Sequence, residues 1–432
     1  MDAIKGMMDF IDRAPTAFHA TAQIAAALEA AGYVRLNERD PWRMAPGGRY
    51  YCTRNRSSLV ALRIPEAGFA PFQIVASHGD SPCFKLKPNA DRTAQGLALL
   101  NVEKYGGMLL STWLDRPLSV AGRLIVAGEK GVGTRLVNVE RDLALIPNLP
   151  IHFNRSANDG VALNAQTDML PVVGMEGADL MAAVAQSAGV RKEAVVGCDL
   201  FLYNRDPARR FGVNGEFIAS PRLDDLACAY ASMQAFLAAR PSGHIDVLCV
   251  FDNEEVGSGS KQGADSTLLI DALRRTALAL GAGPQALEAA VAGSFMVSAD
   301  NAHAAHPNHP EKYDEQNRVR MNGGVVIKSN ANQKYTSDGL SLAVFERLCE
   351  GAGVPTQRFA NRSDIAGGST LGNIVSAHAS MNAVDIGLAQ LAMHSACETM
   401  GAEDVGHMIR ALTAFHEAEI RVLEDGTVEI EA

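Results

Sequence analysis

Carboxylates and imidazoles gather in five short segments whose residue types suit metal-assisted hydrolysis. In the first, Ser77-His78-Gly79-Asp80-Ser81-Pro82, a histidine and an aspartate are separated by one glycine. A metal-bound imidazole needs an acceptor for its other ring nitrogen, and Asp80 is close enough in sequence to supply one. Asp80 could equally cap a backbone amide in a turn. In the second, Asp252-Asn253-Glu254-Glu255-Val256-Gly257, two carboxylates stand side by side after an apolar run. In extended backbone neighbouring side chains point to opposite sides, so one could ligate a metal while the other faces a metal-bound water as general base. The alternative is a solvated acidic loop.

The third segment, Pro221-Arg222-Leu223-Asp224-Asp225, sits ahead of a helical pattern, where a carboxylate could bridge two metals or simply cap the helix. The fourth crowds Asp300, His303, His306 and His309 into ten positions, and some of these histidines could serve only to hold a loop together. The fifth places His394 after an apolar run, where it reads as a ligand or as a satisfied core histidine. The combined set of oxygen and nitrogen ligands contains no cysteine and suits zinc, cobalt or manganese. No G-x-G-x-x-G, P-loop or G-x-S-x-G motif competes, so cofactor redox, nucleotide and serine-hydrolase chemistry lose ground.

These segments need elements to hold them. Phe18, Ala22, Ala25, Leu28 and Ala31 recur at helical steps, as do Leu226, Tyr230, Met233 and Leu237. Short apolar runs at 72–76, 245–251, 294–299, 324–327 and 381–386 read as buried strands. His78, Asp252 to Glu254 and Asp300 each follow one of them, and ligands of open α/β sheets bind outside the carboxyl ends of strands. The expected architecture is therefore a mixed-sheet α/β sandwich. Between about 99 and 154 the pattern changes to extended runs punctuated by Gly106-Gly107, Gly128 and Gly131-Val132-Gly133, which marks an inserted β-rich module. The expected division is a catalytic domain at 1–88 and 216–432, interrupted by the insert at 89–215. Residues 155–168 are polar and turn-rich, as a surface loop would be.

At 432 residues with a hydrophobic content of 47%, the chain can bury a large core. Its formal net charge of −10 repels phosphate backbones and argues against nucleic-acid partners. Seven scattered cysteines form no C-x-x-C pair, which argues against a disulfide framework and a thiolate zinc cage and favours a reducing compartment. No signal-peptide pattern or 18-residue apolar span is present, so a cytoplasmic location without membrane contact is expected.

With these residues in view, the chain resembles the aspartyl aminopeptidase family of two-metal metallopeptidases over nearly its whole length. The likeness rests on His78-Gly79-Asp80-Ser81-Pro82-Cys83, Pro221-Arg222-Leu223-Asp224, Asp252-Asn253-Glu254-Glu255-Val256-Gly257-Ser258, Ser298-Ala299-Asp300-Asn301-Ala302-His303 and Gln390-Leu391-Ala392-Met393-His394-Ser395, with residues 14–19, 105–107 and 115–123. The resemblance implies that His78, Asp224, Glu255, Asp300 and His394 hold two divalent ions, zinc first and cobalt or manganese as alternatives, with Asp224 bridging. Asp225 stands where the family often has asparagine, which leaves Asp225 as the competing bridge.

Further implied roles are Asp80 orienting His78, Glu254 as general base, Lys328 and Tyr335 touching substrate, and His152 reaching into a neighbouring subunit. The implied activity is removal of the N-terminal residue, Asp or Glu by preference, from peptides with a free amine. The implied assembly is a tetrahedral dodecamer built from dimers through the insert. Two rivals are a deacylase or carboxypeptidase with the same metal ligands and a catalytically silent oligomeric binding protein.

Overall fold

The structure is a computed structural model and describes residues 2–431. A nine-stranded mixed sheet runs in the order Val34–Arg35, Arg49–Arg54, Ser58–Arg63, Ile245–Phe251, Phe72–His78, Phe295–Ala299, Asn382–Gly387, Val325–Ser329 and Thr356–Ala360. The four strands Ile245–Phe251, Phe72–His78, Phe295–Ala299 and Asn382–Gly387 are mutually parallel, whereas Val325–Ser329 opposes Asn382–Gly387. Three of the parallel strands, Ile245–Phe251, Phe72–His78 and Phe295–Ala299, are buried at every position. That explains their near-continuous apolar sequences, since a strand covered on both faces has no solvent side to mark by alternation.

Successive residues nevertheless sort to opposite layers. Leu248 and Val250 pack with the helices Ala17–Ala30, Leu223–Ala238, Gly339–Gly351 and Asp404–Glu417. Val247, Cys249 and Phe251 pack with Leu268–Ala279, Pro284–Ala292 and Leu371–Ser376. The result is the α/β sandwich expected from the sequence, with each expected strand present to within two residues at either end. Because the four strands are parallel, their carboxyl ends emerge on one edge and carry His78, Asp252 and Asp300 to the same place.

A six-stranded antiparallel sheet has its own apolar core around Phe84, Val102, Trp113, Val120 and Leu202. Its order is Gly131–Asn138, Leu118–Gly128, Val195–Asn204, Cys83–Ala94, Leu97–Tyr105 and Val172–Met175. Its strand Cys83–Ala94 begins five residues after His78, so this sheet is anchored at the site edge. A five-stranded sheet, Arg209–Phe211, Phe217–Ser220, Glu398–Gly401, Ala389–Leu391 and Ala302–His303, closes the same region from the other side. Residues 155–168 form turns without regular structure. Among the described residues no helix is long and apolar enough to cross a membrane.

Candidate active site

The two sides of the cluster are joined by Asp224. Its Oδ1 lies 3.4 Å from His78 Nε2, and its Oδ2 lies 3.6 Å from His394 Nε2. Asp300 Oδ1 approaches the same His78 nitrogen at 3.7 Å, and Glu255 Oε2 approaches the His394 nitrogen at 3.2 Å. The side chains thus form two groups, His78 with Asp224, Asp225 and Asp300, and His394 with Asp224 and Glu255. Glu254 falls within the same reach of His78 and Glu255.

Asp225 is placed differently from its neighbour. Its Oδ2 accepts the backbone amide of His78 at 3.2 Å, and it makes no close approach to His394 among the described residues. Asp225 shares the His78 group, but only Asp224 also belongs to the group around His394, as a bridging carboxylate must. The geometry therefore favours Asp224 over Asp225.

The local backbone departs from the sequence expectation at Glu254 and Glu255. They open a short 3₁₀ turn, Glu254–Val256, after Asn253 in a left-handed conformation (φ 64°), and do not lie in extended backbone. The turn, not the alternation of a strand, presents the two carboxylates, and both come within reach of His78. Arg222 (φ 59°) and His394 (φ 65°) are also left-handed. Such conformations cost non-glycine residues on the order of 1–3 kcal/mol each and persist where surrounding contacts over-determine them.

Those contacts are visible. Glu398 accepts the amide of Asp224 at 3.0 Å and that of His394 at 2.7 Å, holding both sides of the cluster from behind. His394 Nδ1 meets the Gly107 carbonyl at 2.6 Å. His78 Nδ1 meets the Asp80 backbone carbonyl at 3.1 Å, closer than the Asp80 carboxylate at 3.4 Å. The Asp80 carboxylate instead accepts the Tyr105 hydroxyl at 2.7 Å and the amides of Glu254 and Glu255, both at 3.2 Å. Close packing also demands glycine at 387, where a Cβ would stand 2.0 Å from the Asp300 carbonyl.

Asp224 Oδ1, Asp225 Oδ1 and Glu255 Oε1 are buried without a hydrogen-bond partner. Buried ionised carboxylates are costly unless a cation compensates them. Without a cation, protons do that work. Burial, then the charge of Asp224, pushes Glu255 well above the carboxylate range. Burial works against a charged His394, yet Asp224 and Glu398 raise it to about 9. Burial, opposed by His78 and reinforced by Asp300, Asp80 and Asp224, pushes Glu254 up to about 8. A donor set with orphaned carboxylate oxygens facing imidazole nitrogens fits divalent cations.

An opening of ≈190 Å³ leads to this cluster, lined among others by Glu254, Asp300, His303, Lys328, Tyr335 and His394. Lys328 is 2% exposed; its ammonium donates to the carbonyls of Asp300 at 2.8 Å and Asn301 at 3.4 Å and lies 5.2 Å over the Tyr335 ring. His303 is a cleft residue, while His306 and His309 stack on each other outside the cluster. His152 is exposed beside Phe153, which is 81% exposed, and neither lines the cleft. The supporting role of Glu398 carries no sequence signal, because it depends on hydrogen bonds that only the fold brings together.

Comparison with known proteins places the chain in a family. The family described as Aminopeptidase I zinc metalloprotease (M18) matches residues 10–416. A probable M18 family aminopeptidase 2 of Clostridium novyi is 42% identical over 421 residues, covering 95% of this chain and 97% of its own. The protein of the same description from Pseudomonas aeruginosa is 42% identical over 425 residues, with 95% and 97% covered. Among solved structures, Ape4 in complex with Nbr1 superposes with a TM-score of 0.93 at 34% identity, covering 96% of this chain and 85% of that one. The S. cerevisiae mApe1 dodecamer gives 0.85 at 28% identity, with 96% of each chain covered.

Proposed function

The chain belongs to the M18 aminopeptidase family of zinc metalloproteases, and from that premise we propose that it releases the N-terminal residue of peptides through a two-cation site. His78, Asp224 and Asp300 would hold one cation, and His394, Asp224 and Glu255 the other. The observation that carries this reading is the single Asp224 carboxylate facing both imidazoles. When bound, two such cations supply Lewis acidity for the scissile carbonyl, acidify the attacking water and anchor the free α-amine.

The chain's own groups do the rest. Glu254 takes the proton of the attacking water and returns it to the leaving amine, the double duty of a positioned general base. Asp80 fixes the turn that aims Glu254 by accepting its amide. Lys328 uses two of its three donors on backbone carbonyls. Its charge also faces the Asp300 carboxylate at 3.8 Å, and its place in the cleft wall supports selection of an N-terminal Asp or Glu side chain. Tyr335 packs beneath that ammonium and walls the pocket.

We assign oligomer contacts to the insert, 89–215, and infer a dodecamer of dimers, supported by the dodecameric mApe1 relative. Its exposed His152 then completes a neighbouring active site as a donor to the developing oxyanion. The test is a panel of aminoacyl-anilides and short peptides run on metal-stripped protein and on protein loaded with zinc, cobalt or manganese. Metal-dependent cleavage of free-amine peptides, fastest for Asp or Glu, is expected. Preference for N-acylated peptides would move the assignment to a deacylase.

A further inference from the structure

A second cavity, ≈250 Å³, lies where the α/β sandwich meets the six-stranded sheet and shares no lining residue with the catalytic cleft. A dry cavity of about 150 Å³ already accepts a benzene ring, so this one has room for a ring and a polar substituent. Trp113, Phe201 and Tyr203 supply apolar walls.

The polar groups on those walls are unevenly satisfied. Each carboxylate already has donors. Asp199 pairs with Arg123 at 2.8 Å and Lys85 at 3.5 Å. Asp80 and Glu398 receive the amides described above. Asp252 receives the Asn253 amide at 2.8 Å and Gln262 at 3.4 Å.

The unmatched groups are donors. Trp113 Nε1 and Arg222 Nε have no acceptor but are themselves covered, so the donors left to meet a ligand are the other N–H groups of Arg222. Arg222 makes a single bond, from Nη2 to the Ile11 carbonyl at 3.2 Å, and forms no ion pair among the described residues. A molecule that fits this lining must bring acceptors and an apolar body, and it gains nothing from an ammonium group.

We propose that this cavity is a second ligand site that takes a small monocarboxylate with an aromatic or aliphatic body, its carboxylate facing Arg222. Arg222 stands two residues before Asp224, and the same walls include Asp80 and Glu398, which hold the backbone of the cluster. Occupancy therefore acts on kcat without competing for the peptide cleft.

The indole of Trp113 offers a direct readout independent of hydrolysis, so this idea and the proposed activity can fail separately. The chain has two tryptophans, and Trp42→Phe, remote from both cavities, leaves Trp113 as the only indole. The full-length, zinc-loaded variant is titrated with phenylacetate, phenethylamine and L-phenylalanine. Phenylacetate is expected to change Trp113 emission saturably, with both ammonium compounds at least about tenfold weaker. Arg222→Met should abolish the response, and Ala17→Met, which fills the cavity from the α/β side, serves should the first variant fail to fold. In steady-state assays phenylacetate should alter kcat and leave KM unchanged. An absent or unsaturable response, an equal response to either ammonium compound, survival of the signal in the folded variants, or purely competitive kinetics overturns the proposal.

Discussion

Glu398 accepts the backbone amide of Asp224 at 3.0 Å while its other oxygen takes that of His394 at 2.7 Å, so one buried carboxylate ties together the two halves of the cluster. Outer groups that orient metal ligands typically contribute about 10- to 100-fold to metal affinity. Glu398→Gln keeps the volume but sets an amide N–H against one of these backbone N–H groups. Its zinc affinity, measured by competition with a chromophoric chelator, should fall by about that factor with the circular dichroism unchanged. Unaltered affinity would show that the two ligands hold their positions without it.

Glu254 and Glu255 are adjacent but placed unequally, since Glu255 approaches His394 at 3.2 Å and Glu254 lines the cleft. Glu254→Gln should retain bound metal and lose about 10²- to 10⁴-fold in kcat, the usual worth of a positioned base. Glu255→Gln should lower metal content first. Equal metal loss in both variants would end this division of roles.

Removing metal exposes the cost of the buried carboxylates. Chelator-stripped protein should be inactive and melt at lower temperature, and zinc at about a hundred times its Kd should restore about 2.7 kcal/mol of stability per occupied site along with activity. Full activity in protein shown by elemental analysis to be metal-free would refute the hydrolytic scheme.

The parallel strands were legible because 245–251 and 72–78 are short, apolar and bounded by polar clusters, and their carboxyl ends do converge. Local geometry was less legible. Glu254 and Glu255 lie in a 3₁₀ turn that follows Asn253 at φ 64°, a conformation held by tertiary contacts such as the Asn253 side chain donating to Tyr105 at 2.8 Å. Asp80 was legible as a partner of the cluster, but not that its backbone carbonyl would be the nearer acceptor for His78. Glu398 was invisible because its role depends on a sheet that brings residues 217–220, 389–391 and 398–401 together.

Acid sensitivity should arise partly at His19, which burial, followed by the charge of Arg222, lowers from 6.5 to about 4. Between those values the unfolded chain binds a proton that the folded chain refuses, so stability rises with pH there and is lost as pH falls from 6.5 toward 4. The full difference is on the order of 3 kcal/mol at 1.36 kcal/mol per unit. Denaturant unfolding of His19→Gln, which keeps a partner for Thr16, should depend less on pH than the parent across this window. Identical slopes would place the acid sensitivity elsewhere.

His152 lies in the exposed turn after Pro150, away from the cleft of its own chain, with Phe153 beside it 81% exposed. A lone exposed apolar side chain is unremarkable, but Leu149, Ile151 and Phe153 are all exposed in the same turn, which suits a surface covered by a second copy. If that copy's cleft receives His152, the imidazole can donate to the oxyanion formed at the scissile carbonyl. Loss of one such donor costs about 10²- to 10³-fold in kcat, so His152→Ala should fall in that range with metal content and assembly intact. Subunits carrying His152→Ala, dissociated and reassembled with subunits carrying Glu254→Gln, should recover part of the activity. Some interfaces would then unite an intact His152 from one chain with an intact Glu254 from the other. Mixed assemblies that form but stay at the level of their parents would return His152 to a role within its own turn.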